Sequence, residues 1–111
     1  MTFRLLRVLL IPIIFTALAT LAGSTAALAK DVTVTISNFA FGPAEVTISV
    51  GDTVTFVNGD DTIHSVVADD GSFHSDGLDT NDKFTMTLTK AGKIAYHCGL
   101  HPFMKGDIVV Q

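Results

Sequence analysis

The chain has 111 residues, 7 Lys and Arg against 11 Asp and Glu, four His and one Cys, which suits one compact domain. An acidic balance without a basic run excludes nucleic acid and anionic membrane surfaces as partners. A single cysteine excludes an internal disulfide framework and leaves an unpaired thiol to be explained.

Residues 1–29 read as an export signal. Arg4 and Arg7 make a positive start, Val8 to Leu21 is almost wholly apolar, and Ala27-Leu28-Ala29 forms an A-x-A cleavage site before Lys30. A spanning helix needs about 20 apolar residues. This run is shorter and holds Pro12, so cleavage is expected in place of a retained anchor, with no stable membrane insertion afterwards. Periplasmic location follows, or secretion where there is no outer membrane. The mature part, residues 30–111, keeps five Lys against 11 acidic residues, a formal charge of −6 with His neutral. Such a surface suits a partner with a positive face. A free thiol exported to an oxidising compartment is a liability unless it is buried, linked to another chain or bound to metal.

Apolar residues in this part recur with period two. In chain order they are Val32, Val34 and Ile36; Val46, Ile48 and Val50; Val54 and Phe56; Phe84, Met86 and Leu88; Ile94, Tyr96 and Cys98; Ile108 and Val110. That alternation predicts half-buried strands. Turn residues punctuate the runs at Gly42-Pro43, Gly51-Asp52, Asn58-Gly59-Asp60, Asp69-Asp70-Gly71, Asp76-Gly77, Asn81-Asp82 and Ala91-Gly92. No segment carries a helical period. The expected fold is an all-β, antiparallel Greek-key sandwich of about seven to eight strands. Ala68 to Lys83 reads as a long irregular connection. Residues two apart share a strand face, so if Ile94 and Tyr96 face the core, Cys98 does too, and His97 points outward.

Cys98-Gly99-Leu100-His101-Pro102-Phe103-Met104 gives the pattern C-x2-H-x2-M. A loop this short lets thiolate, imidazole and thioether converge, and copper selects such soft and borderline donors. Zinc accepts the first two but suits a thioether poorly, and an iron–sulfur cluster needs more cysteines. A second imidazole would come from His64 or His74. His64 is the better candidate, lying in the strand-like "TIHSVV", whereas His74 sits in the loop-like "GSFHSDG". Together, His64, Cys98, His101 and Met104 match a type 1 blue copper set with one ion per chain. A nucleophilic hydrolase built on Cys98 is disfavoured, because a core-facing cysteine is not an accessible nucleophile. The chain is therefore not read as an enzyme. A copper-holding or copper-delivery protein is the alternative.

With "HCGLHPFMKGDIVV", "VGDTVTFVN", "HSV" and "AGKIAYHC" in place, the chain resembles the cupredoxins. Among them it is most similar to the amicyanins, by the two-residue spacings of the ligand loop, with plastocyanin and pseudoazurin as relatives. The resemblance runs from Asp31 to Gln111. It implies an eight-stranded sandwich, histidines binding through their δ nitrogens, and a monomeric one-electron carrier cycling Cu(II) and Cu(I) between redox proteins. An amine dehydrogenase donor and a c-type cytochrome acceptor are the implied partners. The resemblance also implies that the histidine matching His101 can protonate and leave Cu(I). Two residues depart from the amicyanin pattern: Phe56 replaces a tryptophan, and Gly99 replaces a common threonine or serine. Asn58 matches an asparagine that ties the two ligand loops together, partly through the hydroxyl that Gly99 lacks, so its bond there must find backbone. Leu100, Pro102 and Phe103 would form an apolar collar around the His101 ring edge, a docking patch for the partner.

Overall fold

The computed structural model describes residues 2, 10–20 and 28–111. Arg4, Arg7 and Ala27 of the expected export signal lie outside the described residues. Leu10 to Thr20 carries neither helix nor strand, and no helix among the described residues is long and apolar enough to cross a membrane.

Eight strands follow: β1 (Asp31–Ser37), β2 (Ala40–Gly42), β3 (Glu45–Ile48), β4 (Thr53–Asn58), β5 (Val67–Ala68), β6 (Lys83–Thr87), β7 (Gly92–His97) and β8 (Lys105–Val110). One sheet has the order β2-β1-β4-β6 and the other β3-β8-β7-β5. The all-β sandwich expected from period-two alternation is therefore present. Uniform antiparallel pairing is not. β1 runs parallel to β4, with Val34 opposite Phe56, and β3 runs parallel to β8, with Val46 opposite Ile108. The physical reason lies in the connections. The chain crosses to the other sheet for β3 before β4 returns beside β1, and such a crossover can lay two strands in the same direction.

Side-chain alternation builds the core. Val34, Ile36, Val54, Phe56, Tyr96, Cys98 and Ile108 are buried between the sheets. Burying a side chain of this size contributes about 1.5–3 kcal/mol. Phe56 packs edge-to-face on Tyr96 with centroids 5.2 Å apart, and Phe41 does the same at 4.8 Å. The position where the resemblance implies a tryptophan is thus filled by a smaller ring inside an aromatic cluster. Tyr96 itself fills the space left by Gly106, where a Cβ would run into its hydroxyl. Among the described residues that buried hydroxyl finds no partner, and burial foremost, then the Asp107 charge, raises its pKa.

Alternation misplaces Val50 at a strand end, and other inward-facing residues are only partly covered at a sheet edge. Val50 is exposed because β3 stops at Ile48 and the chain turns between Ser49 and Asp52, where the Ser49 N–H donates to Asp52 Oδ2 at 2.9 Å. Phe84, Met86, Leu88 and Ile94 are only half-buried. The first two lie on β6, the last strand of its sheet, which lacks a neighbour on one side. β2 and β5, with three and two residues, are too short to show a period. The stretch after Ala68 is as irregular as expected, held by isolated bridges that include Val67 with His74.

Candidate metal centre

Two chain segments meet at one end of the sandwich. His64 lies six residues beyond the end of β4. Its N–H donates to Leu78 O at 3.1 Å and its carbonyl accepts from the Leu78 N–H at 2.6 Å. The Asn58 side chain donates to Thr62 O at 2.9 Å and to Leu78 O at 2.7 Å, and its Oδ1 accepts from the Asp60 N–H at 2.9 Å. Asn58 therefore closes the His64 segment on itself and on Leu78. This corrects the expectation that it bridges to the Cys98 segment, because the side chain has spent both amide hydrogens on nearer carbonyls.

The second segment begins where β7 ends. Cys98 N–H donates to Met104 O at 3.0 Å, and Met104 N–H to His101 O at 2.9 Å, so the loop is folded back across its own base. Cys98 and Met104 are both buried in the core cluster, while His101 is half-buried. Leu100, Pro102 and Phe103 are exposed beside it, with the Phe103 ring 6.1 Å from the His101 ring. His97 points away from the core and is held by Asp69 Oδ1 at 2.6 Å, so it is tethered and not simply solvated. His74 is exposed and takes no part in the centre.

The three strong donors converge. His64 Nδ1 and His101 Nδ1 are 3.2 Å apart, and Cys98 Sγ lies 3.8 Å and 3.7 Å from them. Donors that share one ion at metal–nitrogen distances of about 2.0–2.1 Å and a metal–sulfur distance of about 2.3 Å sit at such separations. Among the described residues, this is the group of His, Cys and acidic side chains placed to hold a metal ion. Its chemistry fits copper: two imidazoles and one thiol in a triangle, and a buried methionine in the same short loop, form a type 1 donor set.

Three residues that sequence reasoning had not singled out complete the surroundings. Ser65 N–H donates to Cys98 Sγ at 3.4 Å, and its hydroxyl accepts the Gly99 N–H at 3.0 Å. The link between the two segments is thus present, with the hydroxyl on Ser65. Gly99 leaves room for it, since a Cβ at 99 would sit 2.8 Å from Ser65 Oγ. Asp60 Oδ2 contacts His64 Nε2 at 2.9 Å. Backbone N–H donation from Phe39 leads the effects that hold the Asp60 carboxyl below the usual carboxylate range; desolvation opposes it, and His64 and the Asn38 N–H reinforce it. Phe39 lays its ring edge-on against His64 at 5.1 Å and His101 at 5.2 Å. The available signals were faint: a serine directly after the histidine, an acid four residues before it, and an aromatic in a turn between two strands.

The comparisons agree with this geometry. Residues 8–110 match the family model of the cupredoxin-like domain. Amicyanin from Paracoccus denitrificans is 32% identical over 85 residues, 72% of this chain and 65% of that protein's length. In three dimensions, an oxidised proline-to-alanine variant of amicyanin superposes with a TM-score of 0.69 at 30% identity, covering 73% of this chain and 82% of that one. A copper-containing nitrite reductase from Thermus scotoductus SA-01 also matches, with a TM-score of 0.69 and 35% identity, over 73% of this chain but 22% of the reductase. Fold, donor triangle and family match coincide, and the chain belongs to the cupredoxin-like domain family.

Proposed function

We propose that this protein is an exported type 1 copper electron carrier, passing single electrons between redox proteins. The observation that carries the reading is the donor triangle of His64, Cys98 and His101, with separations of 3.2–3.8 Å. Met104, buried in the same loop, would add a weak thioether donor. Copper held there supplies a one-electron couple at a site that needs no other cofactor.

What the chain's own residues contribute is fixity. His64 is held by its backbone bridge to Leu78, Cys98 by the Ser65 N–H on its sulfur, and the Cys98–Met104 loop by its own hydrogen bonds. Donors that cannot move leave little rearrangement to accompany electron transfer. Cys98 serves as thiolate, which accounts for a buried unpaired cysteine in an exported protein. His101, half-buried behind exposed Leu100, Pro102 and Phe103, offers the electron its exit toward a docked partner. An amine dehydrogenase and a c-type cytochrome are the partner classes suggested by similarity to amicyanin. Residues 1–29 would be removed on export to the periplasm, leaving a monomeric domain of residues 30–111. Copper delivery is the competing reading; the burial of three of the four donors speaks for retention of the metal.

The test is the spectrum and voltammetry of the copper-loaded domain. Intense visible charge-transfer absorption and a reversible one-electron wave are expected, with no metal transfer to an acceptor. A colourless Cu(II) protein refutes the assignment. Phe103→Asp should slow electron exchange with a partner while leaving colour and potential unchanged.

A further inference from the structure

Resting on the copper reading above, we infer that Asp60 is the positioning residue that makes His64 the stronger of the two imidazole donors and biases the site toward oxidised copper. An imidazole that offers Nδ1 to a metal must carry its proton on Nε2. In His64 that nitrogen lies 2.9 Å from Asp60 Oδ2, inside a side chain with no solvent exposure. Carboxylates placed this way fix the tautomer, orient the ring and raise the basicity of the other nitrogen.

Asp60 is itself held by hydrogen bonds from several segments. Oδ1 accepts the Asn38 N–H at 2.7 Å and Oδ2 also accepts the Phe39 N–H at 2.9 Å. Its own N–H is held by Asn58 Oδ1 at 2.9 Å, and its carbonyl accepts the Thr80 hydroxyl at 2.7 Å. Asn38 and Phe39 stand at φ values of 51° and 56°, two successive non-glycine residues in the left-handed region, which aims both N–H groups at one carboxylate. The β1–β2 turn is thereby tied to the metal centre through Asp60. His101 has no counterpart: among the described residues, its contacts at nitrogen are those of Nδ1 with the other donors. Alongside the Cys98 thiolate, Asp60 brings a second negative charge close to the ion, and negative charge favours the more positive oxidation state.

The experiment compares copper-loaded wild type with Asp60→Asn, which keeps the side-chain size and one of the two acceptor oxygens and removes the charge. Affinity is measured with Cu(II) and Cu(I) against competing chelators, and potential by voltammetry. Cu(II) affinity should fall 10–100-fold. Cu(I) affinity should fall about tenfold less, which raises the potential by about 59 mV. Equal losses in both states, or an unchanged potential with the fold intact, overturn the inference. A second measurement needs no variant: in the Cu(I) wild type, the His64 Nε2–H should exchange with water far more slowly than that of His101. Equal exchange rates overturn the inference even if Asp60→Asn fails to fold. A wild type without visible charge-transfer absorption, by contrast, refutes the copper assignment itself.

Discussion

His64 and His101 bring identical side chains to one point from unlike surroundings. His64 is wholly buried, bridged to Leu78 through its backbone and tied at Nε2 to Asp60. His101 is half-buried in the seven-residue loop from Cys98 to Met104, with exposed Leu100, Pro102 and Phe103 around it. One segment holds the site to the sandwich; the other presents it to the outside. A carrier needs both, since a fully buried ion exchanges electrons slowly and a fully exposed one is neither held rigid nor protected from water.

The largest effect should come from removing the donor that both histidines share. Cys98→Ser should abolish the visible charge-transfer absorption entirely, as read from the Cu(II) spectrum. Next in size, His101→Gly and His64→Gly should part company. Added imidazole should restore colour to the His101 variant, whose vacated position faces solvent. It should fail in the His64 variant, which also loses about 2–4 kcal/mol of stability in denaturant titration through a buried cavity and an orphaned Asp60.

The link between the two segments supplies a smaller effect. Gly99→Ala sets a Cβ at 2.8 Å from Ser65 Oγ and 3.2 Å from Val67 Cγ2. It should cost about 1–3 kcal/mol by the crowding it forces. Ser65→Ala, which deprives the Gly99 N–H of its acceptor, should cost about 1 kcal/mol. The double variant should be less destabilised than the sum, with a coupling of about 0.5–2 kcal/mol. Additive values would mean that Ser65 and Gly99 do not form the link.

Away from the site, Tyr96→Phe removes a buried hydroxyl without a partner among the described residues, so stability should stay level or rise by about 1 kcal/mol in thermal unfolding. The smallest effect concerns pH. The Lys30 N–H and then the Ser49 N–H, each 2.9 Å from the Asp52 carboxylate, hold its carboxyl below the ordinary range. A group with a lowered folded pKa stabilises above its unfolded value of about 3.9 and loses that contribution as pH falls through the folded one. The apo domain should therefore lose thermal stability below about pH 4, less steeply in Asp52→Asn. If cleavage occurs before Lys30, the same nitrogen becomes an α-ammonium and strengthens the contact.

Much of the molecule was legible in its residue order. Period-two alternation over Val32 to Ile36, Val54 to Phe56 and Ile108 to Val110 dictates strands, because it leaves only one face that can be buried. The donors Cys98, His101 and Met104 are legible for a similar reason: a seven-residue loop has few ways to keep them apart. What the chain could not announce were relations between residues distant along it. Parallel pairing of β1 with β4, the Asp60 carboxylate under two N–H groups 21 and 22 residues earlier, and the Ser65 hydroxyl filling the space that Gly99 leaves open all depend on which segments the packed sheets bring together. Local spacing encodes which way a side chain faces. Only closure of the two sheets decides what it meets there, because the free energy of that meeting belongs to both segments at once.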